Sequence, residues 1–275
     1  MCFFSFCVPL RREDRESQDR IQVMHNEYDR LASDYHWLVE DDLLSGEFFL
    51  TRHRSLLDSL SPDARILDCA CGIGSDAIGL ARCGYQVAAS DQSASFVAEA
   101  ERRARAAAVN IRFVTCQWDD LPACFRDPFD LILCTGNSIS HTLNRIAALR
   151  ALAAMRTVLK SGGTLLLDTR NWEKLRREKV RASVADYVVE RHGLRCIPIY
   201  LWEHRAHWDA QHKVEVLLIF EQDGRVSTRR YVLTYRPIRY IDLRACLEEA
   251  RFAIHKSDYN DAADRYEIEA TRVEK

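Results

Sequence analysis

Ile66-Leu-Asp-Cys-Ala-Cys-Gly-Ile-Gly74 decides the fold of this chain. Ile66 and Leu67 open a short apolar run with strand character. Gly72 and Gly74 permit a turn that a Cβ would block, and they let backbone approach a ligand closely. Ser75 to Ala81 then reads helical, and Gln86-Val-Ala-Ala-Ser90 is a second strand that closes on a lone acid, Asp91. Strand, glycine turn, helix, strand, acid is how an α/β sheet holds a nucleoside-bearing cofactor. Asp91 stands 19 residues after Gly72, where an acid meets ribose hydroxyls in such folds.

Outward from this stretch, short apolar runs alternate with amphipathic ones. Residues 66–69, 87–90, 111–114, 129–134 and 164–168 are five strand candidates, and 75–83, 94–108 and 145–160 are the helices between them. Ser161-Gly162-Gly163 reads as a glycine cap on the last helix. The alternation implies a mostly parallel sheet covered on both faces, with ligands at the carboxyl ends of its strands. Asp68, Asp91, Asn137 and Arg170 all fall at or just past such ends.

The flanks read differently. Residues 13–60 read helical, with an aromatic and acidic stretch from Tyr28 to Phe49 and Leu31, Tyr35 and Leu38 on one face. After Arg170, residues 172–198 read as charged and irregular with some helix. Residues 199–202, 214–220 and 227–235 are strand-like, and Glu221-Gln-Asp-Gly-Arg225 is a hairpin signal. Residues 241–250 read as a helix, and 252–258 and 266–273 as a pair of terminal strands. The fold expected is α/β: a Rossmann-like sheet with an antiparallel β insertion or lid. Its divisions are 1–60, a tail and helical cap; 61–170, the cofactor-binding core; 171–240, the lid; and 241–275, the elements that complete the core.

Composition narrows the classes. The chain has 275 residues, 47% of them apolar, with a net charge of −2. That charge and the lack of a long basic run give no reason to expect nucleic acid, and no run reaches the length of a membrane span. The ten cysteines are irregularly spaced. Cys69 and Cys71 form C-x-C with no answering pair, so buried thiols in a reducing cytoplasm are expected and no metal site is. The apolar stretch from Met1 to Leu10 precedes Arg11 and Arg12, the reverse of a secretory signal. It reads as a disordered tail, a contact in a homo-oligomer, or an over-long predicted start.

Several residues at the strand ends suit chemistry. Gly72-x-Gly74-x-x-Ala77 also fits a dinucleotide fingerprint, which leaves an NAD-dependent oxidoreductase as an alternative. Asp68 is placed to order the loop or take a ligand amino group. Trp118, beside Asp119, is placed to stack on adenine while a carboxylate accepts from its amino group; packing alone is the other reading. Asn137, just past the fourth strand, is placed to present its side-chain carbonyl to an amine, or simply to form a turn. His141 reads as a base, a cofactor contact or a helix-start residue. Arg170 is a natural clamp for a carboxylate, because its fork binds two oxygens at once, or else a structural partner of Asp168.

Leu67-Asp68-x-Ala70-Cys71-Gly72-x-Gly74 resembles the first motif of class I S-adenosylmethionine (SAM) methyltransferases. Gly136-Asn137-Ser138-x-x-His141, with Asp168-x-Arg170-Asn171-Trp172, resembles the glycine and glycine/sarcosine N-methyltransferases. The likeness covers about residues 64–175. It implies SAM as cofactor and a small amino acid as methyl acceptor. The cofactor site it implies comprises Asp68, Ala70, Gly72, Gly74, Asp91, Gln92, Trp118, Asp119, Thr135 and His141. Asn137 would orient the acceptor amine and Arg170 would grip its carboxylate. A methyltransferase acting on oxygen or carbon of a small molecule, or a SAM-binding module without turnover, are the other readings.

The chain departs from that family in places. The family's N-terminal Arg, which contacts the cofactor carboxylate, has no basic match in Asp41-Asp42-Leu-Leu-Ser-Gly46. Arg52 and Arg54 are the nearest candidates. Trp172 stands for a Tyr, Arg236 for an aromatic residue, and Tyr187, Tyr200 and Tyr235 are candidates for lid tyrosines.

Overall fold

The computed structural model describes residues 27–274. The readings for residues 1–26, including the apolar stretch to Leu10, lie outside the described residues. The sheet at the centre of the fold runs through β1 (Arg65–Asp68), β2 (Gln86–Asp91), β3 (Arg112–Thr115), β4 (Phe129–Cys134) and β5 (Leu159–Arg170). These five strands are parallel. Ile66, Leu67, Leu131, Ile132, Leu133 and Cys134 have no exposed surface at all. That is why β1 and β4 read as continuous apolar runs: both faces of a parallel sheet are covered. Truncating one of these leucines to alanine costs about 2–5 kcal/mol.

A second, antiparallel sheet follows, from β6 (Ala182–Val184), β7 (Val189–Arg191), β8 (Leu194–Glu203), β9 (His212–Gln222) and β10 (Arg225–Tyr235). Its order is β10-β9-β8-β6, with β7 also on β8. The hairpin expected between β9 and β10 turns at Asp223 and Gly224, both with positive φ, as a two-residue turn between twisted strands requires. Residues 172–198, read as irregular with some helix, hold a helix at Trp172–Glu178 and also the strands β6 and β7. These strands are three residues each, too short to show a period of two.

β11 (Phe252–Ser257) and β12 (Arg265–Arg272) pair as expected, and they also extend the central sheet. Its order is β11-β12-β5-β4-β1-β2-β3, with β12 antiparallel to β5. The glycine cap at Ser161-Gly162-Gly163 is not one. The helix stops at Val158, and Leu159 already pairs with Phe129. The register then shifts across the glycines, so they mark a bulge inside β5.

The N-terminal helical pieces close the molecule from one side. Leu31, Trp37 and Leu38 pack on Val216, Leu218 and Phe220 of β9. Asp34 anchors this contact by accepting from Tyr231 Oη and pairing with Arg229 at 2.5 Å. Gly46 meets the helix Ser75–Arg82 at Gly79: a Cβ on Gly46 would lie 2.5 Å from the Ser75 carbonyl and 3.0 Å from Gly79 Cα.

Candidate functional site

The strand order reverses between β1 and β4, and the crevice outside their carboxyl ends is where ligands bind in such sheets. A cavity of about 660 Å³ opens there. Its floor is the glycine loop and the ends of β1, β2, β4 and β5, and its roof is the antiparallel sheet with the segment Tyr28–Phe49. Asp68, Ala70, Gly72, Asp91, Gln92, Trp118, Thr135, Asn137, His141 and Arg170 all line it.

At one end, Gly72 has φ 51° and no atom nearer than 4.0 Å to where a Cβ would stand. Its N–H donates to Asp91 Oδ2 at 2.9 Å, and the Ser93 N–H donates to Oδ1 at 3.0 Å. The loop and the acid therefore hold each other. Trp118 is fixed in the wall because its Nε1 donates to the Cys69 carbonyl at 2.8 Å.

Acids dominate the middle. Asp68 is 2% exposed, and burial followed by the nearby Asp76 drives its carboxyl well above the usual range. Asp76 opens the helix after the loop and takes the Thr135 hydroxyl at 3.2 Å. Burial, then the charge of Asp168, pushes it up to about 7. Such a site prefers a cation, since an incoming positive charge restores the ionised carboxylates.

The far end carries Arg170 beside the antiparallel sheet. Its guanidinium lies 5.2 Å from the ring of Trp202 and 5.9 Å from that of Tyr200. Among the described residues no carboxylate is recorded as its ion-pair partner. Tyr28, Tyr35, Tyr187, Tyr200 and Tyr235 also line the cavity.

Several side chains stand differently from the expectation. The Asn137 carbonyl does not face an amine. In the left-handed conformation of this residue it accepts from the Arg170 N–H at 3.0 Å, Thr169 Oγ1 at 2.9 Å and Ser140 Oγ at 3.1 Å. Among the described residues its buried Nδ2 has no partner, so Asn137 has a donor to offer where an acceptor was expected. Asp119 does not line the cavity; the 3-10 turn sends it outward to Arg150, 2.7 Å away. Gly74 does not line it either. It has φ 77°, and a Cβ there would lie 3.0 Å from that of Ala100, so its role is helix packing.

His141 is not a free base. Its Nδ1 lies 3.1 Å from the Thr234 carbonyl, and the Tyr28 hydroxyl sits 2.6 Å from Nε2. Burial pushes it down to about 4, leaving a neutral ring held between the N-terminal segment and β10. Arg52 is engaged by Glu267 at 2.5 Å and Asp258 at 2.9 Å, Arg54 is exposed, and neither reaches the cavity. Asp41 pairs with Arg191 at 2.6 Å. Arg236 is buried against Thr142 rather than lining the cavity.

The residues not foreseen are Tyr28, Tyr35, Asp76, Arg265 and Glu267 in the cavity wall. Asp76 had a readable signal, as an acid in the first turn after a glycine loop. Arg265 had none, because only the pairing of β12 with β5 brings it there. The eight cysteines among the described residues are all free thiols. Among the described residues, no helix is long and apolar enough to cross a membrane, and no group of three or more His, Cys, Asp or Glu could hold a metal.

Known proteins match this arrangement. A family described as a methyltransferase domain matches residues 66–163. A glycine/sarcosine N-methyltransferase of Parasynechococcus marenigrum is 32% identical over 166 residues, which are 60% of this chain and 56% of that protein. The chain thus aligns with little more than half of that relative's length. A tRNA 5-carboxymethoxyuridine methyltransferase of Escherichia coli is 28% identical over 67% of this chain and 74% of its own. A solved S-adenosylmethionine-dependent methyltransferase from Clostridium acetobutylicum superposes with a TM-score of 0.68 at 16% identity, covering 91% of this chain and 99% of that one. Residues 66–163 match the methyltransferase-domain family, and the chain has the fold of class I SAM-dependent methyltransferases.

Proposed function

We propose that this chain is a SAM-dependent methyltransferase acting on the amine of a small molecule that carries a carboxylate, with glycine, sarcosine or a related amino acid as acceptor. One observation carries the acceptor: Arg170 is a cation without a recorded carboxylate partner, in an aromatic cavity that adjoins the glycine loop. A planar guanidinium in such a setting suits a carboxylate better than any neutral group. The similarity to glycine/sarcosine N-methyltransferases points the same way.

The cavity fits the cofactor. Gly72 lets backbone approach it, Asp91 stands at the end of β2 where an acid meets ribose hydroxyls, and Trp118 offers a ring to adenine. Asp68 and Asp76 suit its ammonium and sulfonium charges. SAM supplies an activated methyl, so the protein's task is alignment and the exclusion of water. Such positioning is worth roughly 7–11 kcal/mol in favourable cases.

Arg170 holds the acceptor by its carboxylate and disfavours an ammonium nearby, which helps the amine lose its proton before attack. Asn137 contributes rigidity: it ties the loop after β4 to the end of β5 through the Arg170 backbone. No side chain need act as general base, and His141, capped on both nitrogens, is not placed to be one. The antiparallel sheet, which carries Tyr200 and Tyr235, acts as the lid.

The test is transfer of a labelled methyl group from SAM to glycine, sarcosine and a panel of amines, with and without a carboxylate. A tRNA acceptor is the second reading, favoured by the likeness to the Escherichia coli enzyme. Label on tRNA and none on small amines would establish it in place of the first.

A further inference from the structure

Arg170 has a second arginine directly across from it. Arg265 opens β12, and its Cα partner on β5 is Arg170 itself. Side chains at directly opposed positions of an antiparallel pair rise on the same face, roughly 5 Å apart at Cβ. Both arginines line the same cavity. Two like charges so placed repel each other, so the arrangement is stable only where anions share the space.

One anion is already present. Arg265 Nη2 donates to Asp168 Oδ1 at 2.7 Å, an oxygen that also accepts the Asn137 N–H at 2.7 Å. That contact uses one of the five N–H donors of the guanidinium. Arg265 keeps 40% of its side-chain surface accessible, and it lines the cavity. Its backbone is pinned. The Asn171 N–H donates to the Asp264 carbonyl at 2.8 Å, and Asn171 Nδ2 donates to the Ala263 carbonyl at 3.0 Å. Lys174 Nζ holds the Asp264 carboxylate at 2.8 Å. A long cationic side chain rooted in this way is organised before any ligand arrives.

We infer that Arg265 is the second arm of an acceptor clamp, so that the acceptor carboxylate is held between two guanidinium groups on neighbouring strands. The inference rests on the carboxylate-bearing acceptor proposed above. Asp168 balances Arg265, which leaves the pair one net positive charge, matched to a single carboxylate. The acceptor class that follows is an amine-bearing monocarboxylate. Neutral amines lose both arms together.

The experiment uses the full chain loaded with S-adenosylhomocysteine and titrated calorimetrically with acetate, glycine and glycinamide. Arg265→Gln is expected to weaken acetate and glycine roughly 10- to 100-fold while leaving glycinamide and S-adenosylhomocysteine unchanged. Arg265→Lys, which keeps the charge and loses the fork, should recover part of the loss. A purely structural partner of Asp168 would alter all three ligands alike. If Arg265→Gln does not fold with Asp168 left unpaired, the Asp168→Asn/Arg265→Gln double variant gives the same reading. Unchanged acetate binding in either variant overturns the inference and leaves the acceptor class standing. Acetate binding to wild type without methylation of any amine overturns the N-methyltransferase reading and leaves the clamp standing. No carboxylate binding to wild type overturns both.

Discussion

The Asp91 carboxylate accepts the backbone N–H of Gly72 at 2.9 Å, joining the end of β2 to the glycine loop after β1. The acid that would face the ribose is therefore also the brace of the loop that would face the rest of the cofactor. Asp91→Ala removes both functions. Its affinity for SAM should fall by roughly 100-fold or more, as expected when two charge-assisted hydrogen bonds are lost and a loop loosens. Calorimetry on the variant reads this directly, and a circular-dichroism melt confirms that the fold survives.

Two glycines with positive φ separate stability from binding. Gly46→Ala places a Cβ 2.5 Å from a backbone carbonyl, and neither side can swing away. It should cost more than about 2 kcal/mol of unfolding free energy, from overpacking added to left-handed strain. Gly72→Ala meets nothing in the protein, so strain alone, about 1–2 kcal/mol, is expected. The new methyl stands where cofactor would approach, so Gly72→Ala should lose SAM binding while Gly46→Ala keeps it. Urea midpoints set beside titrations distinguish the two.

Arg170 is the acceptor residue on this account. Arg170→Ala should raise KM for a carboxylate acceptor by roughly 100-fold, with SAM affinity unchanged, and Arg170→Lys should restore little, because an ammonium cannot form the fork. Steady-state kinetics with acceptor and cofactor varied separately provide the measurement. A matching loss of SAM affinity would move Arg170 to the cofactor end.

Asp76 gives the cofactor site a pH dependence. Its folded value, pushed up to about 7, lies above the ordinary 3.8. Folding therefore favours its protonated form: that stability is full below the ordinary value and is lost as pH rises through about 7. A bound ammonium has the opposite preference. Affinity for the cofactor should rise between about pH 6 and about pH 7.5, and Asp76→Asn should flatten that slope.

His141 acts on stability with the other sign. Its folded value of about 4 lies below the ordinary 6.5. Above 6.5 its contribution to stability is complete, and it is lost as pH falls toward 4, where the unfolded chain takes up a proton first. Urea unfolding across this window should show a slope that His141→Asn reduces.

Much of this was legible in the sequence because local chemistry wrote it. β4 has the bounds that its apolar run gives, and the Asp223-Gly224 turn has the torsions that its residues favour. Asp68, Asp91 and Arg170 reach the cavity because strand ends put them there. The glycines at 162 and 163 misled, since a glycine pair marks a bulge as readily as a helix stop. Asp119 follows Trp118 by one residue, and a 3-10 turn points such neighbours in different directions. Asn137 lost its carbonyl to the backbone of Arg170, a contact that depends on two loops meeting. Arg265 was invisible for the same reason: no pattern near it announces that β12 will pair with β5.

The central claim is tested most directly by incubating the protein with methyl-labelled SAM and sarcosine or glycine, and following the label by mass spectrometry. The account predicts labelled N-methyl product that depends on Asp91 and Arg170. Tight SAM binding with no label on any carboxylate-bearing amine would contradict it.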